Sequence, residues 1–153
     1  MKLKAIALLP LVFVSLAMAF ADNPNMGTWK LNEAKSKIPA GAVKNSTVVY
    51  EAAGDMIKVI VDGVDASGSP IHTEWTGKFD GKDYALTGDA TADTRAYGQI
   101  NSRTLSLTAK KGGKVTVTGR IVVAKDGKSR TVTATSTDAK GKKTTSVAFY
   151  DKQ

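Results

Sequence analysis

The chain has 153 residues, a formal net charge of +8 at pH 7, one histidine and no cysteine. Without cysteine it can form no disulfide framework and carry no cysteine-linked lipid. With a single histidine it also lacks the ligand set of an ordinary zinc site, so we predict no metal centre.

The first 21 residues have the layout of a removable signal peptide. Lys2 and Lys4 precede an apolar run, and the segment ends in the small-residue patterns Ala17-Met18-Ala19 and Ala19-Phe20-Ala21. Cleavage after Ala21 would send the protein to the periplasm or the extracellular space. An uncleaved membrane anchor is the alternative, but Pro10 and the small-residue sites favour cleavage.

The predicted mature chain, residues 22–153, has 132 residues (153 minus 21) and, without Lys2 and Lys4, a net charge of +6. This length suits one domain with one core. Ten short runs rich in Val, Ile, Thr and Tyr alternate between apolar and polar residues, which predicts strands. These runs are residues 27–31, 46–52, 56–62, 71–79, 84–87, 94–100, 105–110, 115–124, 130–137 and 144–150.

Turn signals separate the strands. Asp80-Gly81 and Asp126-Gly127 are typical of two-residue hairpin turns in which both central residues have positive φ, and Gly112-Gly113 predicts the same geometry. Sequential hairpins would leave two exposed edges unless the sheet closes. We therefore predict a single antiparallel up-and-down β-barrel of about ten strands, with a β-sandwich as the alternative.

The first strand begins with the motif Gly27-Thr28-Trp29 inside the string GTWKLN. A G-x-W start followed by a meander resembles the calycin superfamily: lipocalins, fatty-acid-binding proteins and their bacterial relatives. The longer string GTWKLNEAKSK and the ending VAFYDKQ are similar to secreted bacterial lipocalin-like proteins of unassigned activity. The resemblance implies that Trp29 plugs one end of the barrel and that Gly27 lets the chain turn into the first strand. The arginine–tyrosine pair of fatty-acid-binding proteins is incomplete, because Tyr150 has no arginine two positions before it.

Loop lengths predict which end of the barrel is open. Turns at the end that holds Trp29 are short, and most connections at the opposite end are longer, so we expect the mouth there. Lys111, Lys114 and Lys142 lie in these longer connections, where lysines would attract an anionic partner. Alternatively, they only maintain solubility and block edge pairing.

Alternation predicts the interior wall. The face containing Val115, Val117 and Ile121 is expected to point inward. As ligand contacts we predict four aromatic side chains: Trp75, Phe79, Tyr97 and Tyr150. The small residues among the inward positions leave open whether the barrel encloses a cavity or fills itself.

Catalytic signals are few. His72 and Glu74 share one face of a strand and form the only candidate acid–base pair, but this face lies opposite Trp75 and is expected to meet solvent. The same expected exposure argues against haem at His72, so we predict no catalytic residue and no cofactor. Aromatic residues do not alternate with lysines, so we expect no nucleic-acid partner.

Together these features predict a secreted or periplasmic binding protein that holds a small apolar or amphipathic molecule, with an anionic ligand as one variant. We expect no stable membrane insertion after signal cleavage. A filled barrel that acts as a structural or envelope-interaction protein is the alternative, and an enzyme using His72 and Glu74 is the third.

Overall fold

The computed structural model describes residues 22–153; the predicted signal peptide lies outside the described residues. Ten antiparallel strands form one closed barrel in which every strand pairs with its neighbours in sequence and β1 pairs with β10. This confirms the predicted all-β, up-and-down barrel and excludes the sandwich. The strands are β1 (Gly27–Leu31), β2 (Lys44–Ala53), β3 (Met56–Val64), β4 (Pro70–Gly77), β5 (Tyr84–Thr87), β6 (Thr94–Asn101), β7 (Thr104–Lys111), β8 (Lys114–Val123), β9 (Ser129–Thr137) and β10 (Lys143–Lys152).

Helix is almost absent from residues 22–153: one 3₁₀ turn, Glu33–Lys35, lies between β1 and β2. No helix in this part of the chain has the length and apolar character needed to span a membrane. All ten strands fall within residues 27–152, so a chain that begins at Asp22 retains the whole barrel.

Trp29 lies near one end of the barrel. Its side chain is fully buried, and its Nε1 donates a hydrogen bond of 2.9 Å to the carbonyl oxygen of Asn25. Gly27 enters β1 with a φ of +103°, and a Cβ there would lie 3.1 Å from Cε of Lys152. The left-handed conformation therefore favours glycine at this position, whereas the flexible end of Lys152 could move aside.

The turns differ from the prediction in one respect. Only glycines have positive φ among the described residues, so Asp80 and Asp126 do not adopt the predicted left-handed conformation. Their carboxylates instead accept hydrogen bonds from the backbone N–H groups of Lys82 and Lys128, each at 3.0 Å, a local bond that holds the turn without positive φ at aspartate. The predicted geometry is found at Gly112-Gly113, where φ is +55° and +78°.

A register shift corrects one predicted interior position. The pairing of β7 with β8 slips between Ala109 and Lys110, and Val115 is 41% exposed while Ile121 is buried. The bulge breaks the alternation at the start of β8, because an irregular residue moves the following side chain to the other face. Val115 therefore lies outside the barrel, contrary to the expectation from alternation.

Candidate functional site

The barrel interior contains a cluster of aromatic rings. Trp75 and Tyr97 meet edge to face at 4.8 Å between ring centroids, Phe79 lies 5.7 Å from Tyr97, and Tyr50 lies 6.2 Å from both Tyr97 and Phe79. Three of the predicted contact residues thus form one cluster with Tyr50, which the sequence argument did not single out. Edge-to-face packing of this kind stabilises the core beyond the area it buries.

Arg130, near the start of β9, is the most unusual side chain in this interior. It is only 2% exposed, and its guanidinium carbon lies 4.6 Å from the ring centroid of Trp29, 4.9 Å from Tyr50 and 5.1 Å from Tyr150. Nε and Nη1 are buried and have no hydrogen-bond partner. No carboxylate of the described residues forms an ion pair with Arg130.

Arg95, near the start of β6, is the second interior arginine. Its side chain is 13% exposed, its Nε is buried without a partner, and its Nη1 lies 3.4 Å from the hydroxyl of Tyr97. At the mouth, Nη2 lies 3.7 Å from a carboxylate oxygen of Asp89, which is a loose ion pair. The backbone at Arg95 is fixed because its carbonyl oxygen accepts a 2.8 Å hydrogen bond from Nε1 of Trp75.

Both arginines line one cavity of about 60 Å³ inside the barrel. The remaining wall is aromatic or aliphatic apart from Asn45: Val48, Tyr50, Val61, Tyr97, Leu107, Ile121, Val132 and Tyr150. This volume is far below the 300–1,000 Å³ of typical drug-sized sites. The cavity therefore suits a small group that carries negative charge on one side and apolar surface on the other.

The hydroxyls of Tyr50 and Tyr150 remain protonated at neutral pH. Burial raises the pKa of Tyr150 to about 12 and raises the pKa of Tyr50 well above its usual value. The hydroxyl of Tyr150 donates a 2.9 Å hydrogen bond to the carbonyl oxygen of Asn45, which fixes the ring against Arg130. The polar groups of the cavity lining are thus hydroxyls, guanidinium groups and Asn45, with no carboxylate among them.

The other predicted site residues lie elsewhere. Lys111, Lys114 and Lys142 are exposed on the hairpins at the end opposite Trp29 and do not line the interior cavity. Phe79 lines a groove of about 340 Å³ at the Trp29 end, the end expected to be closed. The charged residues of that groove are satisfied locally, because Lys78 pairs with Asp55 at 2.9 Å and Asp80 accepts from Tyr84.

The candidate acid–base pair lies on the outer surface. Nδ1 of His72 is 2.6 Å from a carboxylate oxygen of Asp62, and Nε2 is 3.2 Å from Glu74, which also pairs with Lys58 at 3.0 Å. The hydrogen bonds with Asp62 and then Glu74 raise the pKa of His72. The pair is part of a solvent-exposed charge cluster and borders neither cavity.

The described residues contain no cluster of three or more His, Cys, Asp or Glu side chains arranged to hold a metal ion. Comparison with known proteins found no matching family model and no similar curated protein.

Proposed function

We propose that this protein is a secreted or periplasmic, lipocalin-like binding protein that holds the carboxylate of a small amphipathic acid against Arg130. The supporting observation is the buried guanidinium with two unpaired nitrogens. An uncompensated buried charge costs several kcal/mol. The three rings around Arg130 offset part of that cost, since a desolvated cation–π contact contributes about 2 kcal/mol.

A bound carboxylate would offset the rest of this desolvation cost and accept hydrogen bonds from the unpaired N–H groups of Arg130. Charge-assisted hydrogen bonds of this kind are about twice as strong as neutral ones. Arg95 and the hydroxyl of Tyr97 lie on the same cavity wall and offer further donors. The aliphatic wall formed by Val48, Val61 and Leu107 would contact the apolar part of the acid.

The small cavity limits the acid to a short chain. We would titrate the chain beginning at Asp22 with sodium acetate, butyrate and octanoate by calorimetry, and follow tryptophan fluorescence because Arg130 contacts Trp29. Butyrate is expected to bind with a defined stoichiometry of one. Octanoate should bind more weakly because the cavity of about 60 Å³ would have to expand.

The decisive comparison is between Arg130→Met and Arg120→Met. Both remove one arginine charge, but Arg120 is exposed on β8. Removing a buried partner of a charged pair costs 2–5 kcal/mol, so Arg130→Met should weaken butyrate binding at least about thirtyfold while Arg120→Met leaves it unchanged. Equal effects of the two variants, or no binding of any acid to the parent protein, would contradict the proposal.

Native mass spectrometry of the protein purified from its own host would identify the natural ligand. An added mass that is lost on organic extraction, and that is absent from the Arg130→Met protein, is the expected result. A natural ligand without an acidic group would contradict the role proposed for Arg130.

A further inference from the structure

The end of the barrel opposite Trp29 has a charge distribution that the interior site does not require. Five connections form this end, because successive turns of an antiparallel meander alternate between the two ends. In order around the barrel, the β1–β2, β9–β10 and β7–β8 connections are consecutive neighbours, and the β5–β6 and β3–β4 connections complete the ring. We call the first three connections at this end, together with the strand residues that flank them (residues 38–44, 111–115 and 138–143), the basic rim.

The basic rim carries an excess of unpaired lysines. Lys44 pairs with Glu33 at 2.9 Å, and Asp138 directs its carboxylate to the backbone N–H groups of its own turn. Five exposed lysines of the rim have no ion pair within the described part of the chain: Lys111, Lys114, Lys140, Lys142 and Lys143. Lys35 and Lys37 lie lower, beside β10, where Nζ of Lys35 is 4.8 Å from the ring centroid of Phe149 and Lys37 pairs with Val147.

The other two connections have the opposite character. Asp65, Asp89 and Asp93 are their charged residues, and they contain no lysine. Asp65 accepts from the N–H groups of Ser67 and Ser69, and Asp89 accepts from Thr91, within their own loops. Asp93 instead accepts a 2.9 Å hydrogen bond from the N–H of Gly112 in the neighbouring β7–β8 connection. The uncompensated positive charge of this end therefore lies on one contiguous side.

Exposed apolar side chains accompany this charge. The described residues include four large exposed hydrophobic side chains, and two of them, Val43 at 44% and Val115 at 41%, lie on the basic rim. Val43 ends the uncharged segment IPAGAV, residues 38–43, which lies between Lys37 and Lys44. Val115 follows Lys114 directly.

We propose that the basic rim docks the barrel on an anionic lipid bilayer, with the lysines at the headgroups and Val43 and Val115 in the interface. Lysines near an anionic leaflet each strengthen binding roughly fivefold, and small apolar side chains at the boundary add to this. Single-stranded nucleic acid fits less well, because it requires aromatic stacking partners among the lysines. This docking is a separate property from carboxylate binding and does not depend on Arg130.

Sedimentation with vesicles tests the proposal. The chain beginning at Asp22 should bind vesicles of 30% phosphatidylglycerol in phosphatidylcholine, and should fail to bind pure phosphatidylcholine. The variant Lys111→Gln, Lys114→Gln, Lys142→Gln is expected to lose about a hundredfold in vesicle affinity, since three lysines are removed. The matched control is Lys82→Gln, Lys125→Gln, Lys128→Gln, which removes the same charge from exposed positions at the Trp29 end and should lose less than about fivefold, an effect of net charge alone.

The double variant Val43→Ser, Val115→Ser separates a lipid surface from a soluble polyanion. It should lower vesicle affinity at least about fivefold because less apolar surface enters the interface, and leave binding to heparin unchanged. Equal losses from the two triple-lysine variants would overturn the proposal. So would binding to neutral vesicles as strong as to anionic ones, or a valine variant that binds vesicles like the parent.

Discussion

The outer face of β3 and β4 and the interior of the barrel accommodate charge in opposite ways. On the outside, His72 contacts Asp62 and Glu74, and Glu74 also contacts Lys58, so each charge has an opposite partner although solvent is available. Inside, Arg130 has no carboxylate partner although solvent is excluded. Exposed pairs contribute little to stability, whereas an unpaired buried charge is costly. The unpaired Arg130 therefore says more about function than the outer ion pairs do, because its burial lowers the stability of the fold.

The largest expected effect comes from separating the volume of Arg130 from its charge. Arg130→Ala should lower the free energy of unfolding by about 3 kcal/mol, because Trp29, Tyr50 and Tyr150 lose the side chain that they pack against. Arg130→Met should change it by less than about 1 kcal/mol, because methionine fills the space and the lost cation–π contacts are balanced by the removed unpaired charge. Urea unfolding of the three proteins measures both differences.

The same two variants also test whether Arg130 differs in role from the outer ion pairs. If Arg130→Met destabilised the protein as much as Arg130→Ala, the positive charge would be supporting the fold through the rings. The interior arginine would then be a structural element like the outer ion pairs, and the case for a bound anion would weaken.

The barrel could be predicted from sequence because its signals are local. Alternation and turn residues recur along the chain, and closure follows from the need to satisfy two edges. The same alternation also predicts that two arginines point inward. Arg130 is two residues before Val132, and Arg95 is two residues before Tyr97, so each arginine shares a strand face with an inward residue. These two arginines were not predicted as interior residues because charged side chains are expected to point outward, and arginine is almost never buried without a partner.

The cavity itself could not be derived in this way. Its size depends on which side chains from seven strands meet around it, and the bulges in β2, β6 and β8 shift the registers that decide this. The exposed position of Val115 is one consequence of such a shift. The residue pattern of a single strand cannot predict such a shift, because the register depends on two strands.

A smaller effect is expected from the tyrosine hydroxyls of the two regions. Tyr150→Phe removes a 2.9 Å hydrogen bond from a buried side chain to the carbonyl oxygen of Asn45 and should cost about 1 kcal/mol of unfolding free energy. Tyr84→Phe removes a bond of the same length to Asp80 on the surface, where water replaces the partner, so its effect should be smaller. Parallel urea unfolding checks the order, and a larger loss for Tyr84→Phe would contradict the distinction drawn between inside and outside.

The smallest effect belongs to the outer charge cluster and depends on pH. Hydrogen bonds with Asp62 and Glu74 raise the pKa of His72 in the folded protein, so the folded state holds the proton more tightly than the unfolded chain. The resulting stabilisation is fully present below the unfolded pKa of about 6.5 and disappears as the pH rises through the folded pKa. The melting temperature of the parent should therefore exceed that of His72→Ala by more at pH 5.5 than at pH 8.5, and 0.5 M salt should reduce the difference because the cluster is exposed. A difference that was independent of both pH and salt would show that His72 acts through packing, and the outer face would then no longer be an example of paired charge.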